Sequence, residues 1–134
     1  MHGSTQAIPS NNNMILSIDH VQIAMPAGGE EKARAFYIKL LGFTEISKPP
    51  ELAKRGGAWF ESGTTQLHLG VEPDFRPARK AHPAFVVDHL DPLLKRLRAA
   101  GCEIDSSQPP IQGTKRAHVF DPFGNRIELM EKLG

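Results

Sequence analysis

The chain has little cysteine, little net charge and no long apolar run, and each shortage excludes something. A single cysteine, Cys102, among 134 residues rules out an intrachain disulfide and fits a reducing compartment. Sixteen Lys and Arg against fifteen Asp and Glu leave a net charge of +1, without the basic excess that a nucleic-acid partner calls for. No apolar stretch approaches the roughly 20 residues that span a bilayer. The N-terminus also lacks the basic and apolar regions of a secretory signal. The expectation is a cytoplasmic protein that engages neither nucleic acid nor membrane. With 40% hydrophobic and 23% charged residues, the composition is that of an ordinary globular protein. The length suits one compact domain, or two small halves sharing a core. Cys102, in Gly101-Cys102-Glu103-Ile104, reads as a small buried hydrophobe rather than a reactive thiol.

Residues 1–13 are polar and aperiodic and read as a flexible leader. From residue 14 the pattern runs strand, helix and three strands, twice over. Strand one is expected from Met14 to Met25, ended by Pro26-Ala27-Gly28-Gly29. A helix is expected from Glu30 to Leu41, with Ala33, Phe36, Tyr37, Leu40 and Leu41 as its apolar stripe and Gly42 past its end. Strands at 43–47 and 58–61 and the His68 strand complete the first module, residues 14–72. Pro73, Arg76, Pro77, Arg79 and Lys80 mark a connector, its cations either solvated or available to an anion. The second module, residues 80–132, opens at His82. Its helix is expected to start with Asp91 as N-cap and Pro92 at the first helical position, and to end at Gly101. Residues 14–134 thus form a single α+β domain. Its two βαβββ modules build a cupped mixed sheet with the helices outside.

Four residues stand out against this repeat: His20, His68, His82 and Glu128. Each lies in a short alternating apolar run, such as Gln66-Leu67-His68-Leu69 and Arg126-Ile127-Glu128-Leu129. On a strand, Leu67 and Leu69 take one face and His68 the other; Ile127 and Leu129 take one and Glu128 the other. His20 and His82 fall in the first strand of their modules, His68 and Glu128 in the last. Three imidazoles and a carboxylate on one concave surface suit a divalent ion such as Ni, Zn, Mn, Fe or Co. Gln22, Gln66 and Arg126 share strand phase with these residues, and Trp59 is a candidate pocket wall. These four are candidate substrate contacts. His89 and His118 read as structural.

The chain resembles the vicinal oxygen chelate superfamily, which includes glyoxalase I, extradiol dioxygenases and the bleomycin- and fosfomycin-resistance proteins. The resemblance covers about Met14 to Lys132. It rests on Asp19-His20-Val21, on Ala35-Phe36-Tyr37 with Leu40-Leu41-Gly42-Phe43, on His82, and on Asp121-Pro122-Phe123-Gly124-Asn125 with Ile127-Glu128-Leu129. It implies metal positions at His20, His68, His82 and Glu128. It also implies an ion left open to vicinal oxygens of a small-molecule substrate. Histidine at position 68 departs from glyoxalase I, which usually carries Glu there; the two-His, one-Glu members correspond to His20, His82 and Glu128. The implied function is that of a divalent-metal-dependent lyase or isomerase of glyoxalase type. In such an enzyme Glu128 or His68 takes a proton beside a carbonyl. An extradiol-type dioxygenase and a metal-free binding or resistance protein are the alternatives. A homodimer is expected, because the sheet edges need covering.

Overall fold

A computed structural model describes residues 12–134. The expected leader lies outside the described residues except for Asn12 and Asn13. The first module comprises β1 (Val21–Met25), α1 (Glu30–Arg34) continuing into a π-helical stretch (Ala35–Leu40), β2 (Thr44–Ile46), a short α2 (Pro50–Ala53), β3 (Ala58–Ser62) and β4 (Thr65–Val71). The second comprises β5 (Ala84–Val86), α3 (Leu90–Ala99), β6 (Ile104–Asp105), β7 (Thr114–Phe120) and β8 (Arg126–Lys132). The sheets run β1-β4-β3-β2 and β5-β8-β7-β6. In each, the first and last strands of the module pair in parallel and the other pairs are antiparallel. The α+β fold of two βαβββ modules read from the sequence is therefore the fold observed.

The alternation sets the two faces of each sheet. Ala58, Phe60, Leu67 and Leu69 of the first sheet and Ala117, Val119, Ile127 and Leu129 of the second are buried. They share one core with Ala33, Phe36 and Tyr37 of the first helix and with Leu90, Leu94 and Leu97 of α3. The first helix holds the predicted stripe, but its second half is wound wider: the Leu41 amide reaches the Phe36 carbonyl at 3.0 Å, five residues back. Successive side chains lie closer in angle on a π turn than on an α turn, and the adjacent Phe36 and Tyr37 are both buried. Gly42 and Gly101, both at φ +83, supply the left-handed residue that ends each long helix.

Three expectations are corrected. Strand one begins at Val21, not Met14, because β4 offers it partners only from Leu67 to Val71; alternation continues upstream without a neighbour to pair with. His20 and His82 accordingly precede β1 and β5 rather than lying within them. The cap of α3 is His89, not Asp91. The carboxylate of Glu131 accepts the Leu90 amide at 2.8 Å, so a distant side chain does the work expected of a local one. Asp91 sits in the first turn and pairs with Lys115 at 2.6 Å. The connector is ordered against β8: the Arg126 amide donates to the Ala78 carbonyl at 2.9 Å, and Arg79 lies 4.7 Å from the Phe120 ring centre. Cys102 is half-buried and unpaired, with burial pushing its thiol pKa up. No helix among the described residues is long and apolar enough to cross a membrane.

Candidate metal and substrate site

Cross-strand register places the polar residues. In the second sheet His118 stands directly opposite Glu128, and Ala84 stands opposite it on the other side. His82, two residues before Ala84, and Arg116, two before His118, carry the same phase. The result is a compact group. His82 Nε2 lies 2.9 Å from Glu128 Oε1, His118 Nε2 lies 3.6 Å from the same oxygen, and Arg116 donates to Glu128 Oε2 at 3.1 Å. Among the described residues, His82, His118 and Glu128 are the group whose ligand atoms all lie within 4.8 Å of one another.

The first sheet carries a second group. Gln22 and Trp59 flank His68 in register. The His68 ring is sandwiched between Trp59, at 4.0 Å and 7°, and His20, at 4.1 Å and 15°. Gln66 lies 3.3 Å from His68 Nε2, and Asp19 lies 2.9 Å from His20 Nδ1. Of the four expected ligands, the structure brings together His82 with Glu128 and His20 with His68, but it does not gather all four within one group. His20, Gln22, Gln66 and His82 line a cleft of about 1070 Å³ between the β1 and β5 edges, with Arg76 on its wall. His68, Trp59, Arg126 and Glu128 do not line that cleft. Arg126 lies 6.0 Å from the Phe120 ring centre, its Nε buried without a hydrogen-bond partner among the described residues. His118, read as structural, joins the second group. The alternation of Arg116 and His118 with the buried Ala117 and Val119 is the signal that reveals it.

The donor chemistry fits a cation. His82 Nδ1 is 2.7 Å from the Lys80 carbonyl, which can only accept, so Nδ1 carries the proton. A neutral His82 then turns a bare Nε2 lone pair toward a carboxylate oxygen at 2.9 Å. That contact is satisfied if the ring is doubly protonated or if a cation lies between the two atoms. An Nδ1–H held by a backbone carbonyl is the usual support of a metal-ligating imidazole.

Burial pushes the His118 pKa below its ordinary 6.5, the Arg126 charge adds to this, and Glu128 opposes it. Burial also lowers His68, with His20 adding to it. For Glu128, burial pushes upward, but the hydrogen bonds from His82 and Arg116 and the Arg116 charge prevail and hold it below 4.5. Both histidines are depressed in the fold, so the stability they favour is present above about pH 6.5 and declines as the pH falls through their folded values. The Glu128 contribution follows, lost as the pH falls below 4.5. Urea midpoints are therefore expected to drop between pH 7.5 and 5.5; equal midpoints would contradict this electrostatic picture.

Residues 17–129 match the sequence profile of the Glyoxalase/Bleomycin resistance protein/Dioxygenase superfamily. The chain belongs to this superfamily. A Bacillus anthracis crystal structure assigned to the glyoxalase family is 51% identical, with TM-score 0.81 over 90% of this chain and 98% of that one. The fosfomycin resistance protein FosX from Listeria monocytogenes shares the fold at 19% identity and TM-score 0.71, over 88% and 94% of the two chains. A FosX variant has been solved with Mn(II) and 1S,2S-dihydroxypropylphosphonic acid. TnmS3, an antibiotic binding protein from Streptomyces sp. CB03234, is 26% identical, with TM-score 0.65 over 88% and 99%. Proteins that share this fold thus include one solved with Mn(II) and one that binds an antibiotic.

Proposed function

We propose that this superfamily member is a divalent-metal-dependent enzyme, a lyase or isomerase of glyoxalase type. Its substrate would be a small molecule with oxygens on adjacent carbons. The observation that carries this reading is the contact between His82 Nε2 and Glu128 Oε1 at 2.9 Å, with His82 Nδ1 tied to a carbonyl. FosX, with Mn(II) and a vicinal diol phosphonate, supports it by analogy. His82 and Glu128 would hold the ion, with His20 and His68 facing them across a homodimer. In support of the dimer, Met14, Ile15, Leu16 and Ile18 are 73% to 91% exposed immediately before His20. Such a cluster suits an association surface.

When bound, the ion supplies a Lewis acid for negative charge developing on a substrate oxygen. Arg116 fixes the Glu128 carboxylate by its far oxygen and keeps it ionised, which suits a ligand better than a base. His68 is then the better proton acceptor. Burial keeps it neutral, Gln66 engages Nε2, and Nδ1 is left to take a proton beside a carbonyl. Trp59, stacked on His68, holds the ring in place and shields it from water. Gln22 and Arg126 complete the proposed substrate contacts.

A second reading, a metal-free small-molecule binder, has an antibiotic-binding neighbour in TnmS3 and draws on the same Arg116, because a carboxylate already paired with a guanidinium needs no cation. Elemental mass spectrometry of protein purified without a metal-affinity column separates the two. About one equivalent of Mn, Fe, Co, Ni or Zn per chain, lost in His82→Ala, is expected. No metal as purified and no uptake of any of these ions would leave the binding reading. Light scattering on the same sample tests the dimer, which a monomer mass would overturn.

A further inference from the structure

We propose that His118 is a third protein ligand of the divalent ion, so that the second module alone contributes two imidazoles and a carboxylate. This rests on the metal-dependent reading above and deepens it. His118 is 2% exposed, and its Nδ1 is buried without a hydrogen-bond partner among the described residues. Its Nε2 faces Glu128 Oε1 at 3.6 Å, beyond hydrogen-bond range. A buried imidazole normally binds something with at least one nitrogen. This one is instead aimed, edge to face with His82 at 5.0 Å and 84°, at the oxygen that His82 also addresses. Two protein donors bound at about 2.0–2.2 Å to one ion stand roughly 3–4 Å apart. The spacings of 2.9 and 3.6 Å to Oε1 fall close to that range.

Position accounts for the ligand set. His118 on β7 and Glu128 on β8 are direct cross-strand partners, and His82 lies two residues before Ala84, the partner of Glu128 on β5. Arg116 holds Oε2 and so turns Oε1 toward both rings. In the first module the place opposite His68 is taken by Trp59, which cannot ligate, so the pseudo-symmetric halves are chemically unequal. One half is a donor cluster and the other an aromatic wall. His68, sandwiched between two rings and engaged by Gln66, is released from ligation and serves as the proton acceptor.

The test uses full-length apo protein titrated with Co(II), read by its visible d–d absorption and by competition with a chelating dye. Wild type is expected to bind about one equivalent. His118→Ala and the more conservative His118→Gln are expected to shift the d–d bands and weaken Co(II) by about a hundredfold or more, beyond the loss for a residue that only supports a ligand, while His68→Ala leaves the bands in place. Circular dichroism shows that each variant is folded, and the Gln variant stands if Ala does not fold. Unchanged bands and affinity in folded His118→Gln, with Co(II) lost in His82→Ala, would overturn the role of His118 and leave the functional reading intact. No Co(II) binding by wild type would overturn both.

Discussion

Replacing Asp121 with alanine is expected to lower the stability of the fold by about 3–5 kcal/mol, because several buried donors lose their acceptor at once and each one left unsatisfied costs about 1–3 kcal/mol. Asp121 is 5% exposed and accepts four hydrogen bonds. These come from the Tyr37 hydroxyl at 2.7 Å, the Phe123 and Asn125 amides at 2.9 Å each, and Asn125 Nδ2 at 3.0 Å. Tyr37 is fully buried under the first sheet, and burial, then the Asp121 charge, pushes its phenol well above its usual range. It therefore remains a donor at any physiological pH. Asn125 extends the link: its Nδ2 also donates to the Ala24 carbonyl of β1, and its Oδ1 accepts the Ala78 amide of the connector, both at 2.9 Å. One turn thus ties helix, first strand, connector and last strand together, which fixes one module against the other. Urea unfolding at pH 7.5 measures the loss. Tyr37→Phe, which removes one donor and leaves three, is expected to cost about 1–2 kcal/mol. An Asp121→Ala variant within about 1 kcal/mol of wild type would show that water or neighbouring groups satisfy these donors, and the latch account would fall.

The same turn shows what a sequence discloses. Asp121-Pro122-Phe123-Gly124-Asn125 is legible as a turn, since Gly124 takes φ +92, a conformation that favours glycine. Its partners, Tyr37 and Ala24, lie 84 and 101 residues away, and no local pattern names them. Strand phase was legible for His68 and Glu128 because burial of Leu67, Leu69, Ile127 and Leu129 admits one register only. Strand length was not, since alternation from Met14 onward does not reveal whether a neighbour exists to bond. His118 leaves no mark in the repeat of like residues, because its counterpart opposite His68 is Trp59. Arg116 is hidden for a different reason: a long side chain reaches a carboxylate on the next strand by geometry that periodicity does not encode. The strand phase of His68 and Glu128 is therefore legible, while the division of the four candidate residues into two groups is not.

Glu128→Gln is expected to weaken Mn(II) or Co(II) by about a hundredfold or more, beyond the loss that follows removal of a supporting residue, and to abolish metal-dependent turnover. The substitution keeps the volume and one carbonyl oxygen, so Arg116 retains a partner and the pocket keeps its shape. Only the charge and one acceptor are lost. Without that charge, His82 faces an amide, and the positive charges of Arg116 and Arg126 oppose a divalent ion that two imidazoles alone must hold. Apo stability is expected to fall less, by about 1.5–3 kcal/mol, the range for a hydrogen bond to a charged group, because Arg116 also donates to the Pro109 carbonyl at 2.7 Å. The metal-free reading predicts otherwise. If Glu128 serves only as the counter-ion of Arg116, the Gln variant loses stability but binds small molecules as wild type does, with no metal to lose. Isothermal titration with Mn(II), alongside urea unfolding of wild type and variant, separates these cases. Loss of metal affinity with modest loss of stability places the carboxylate in the ion's coordination, and loss of stability alone places it in the fold.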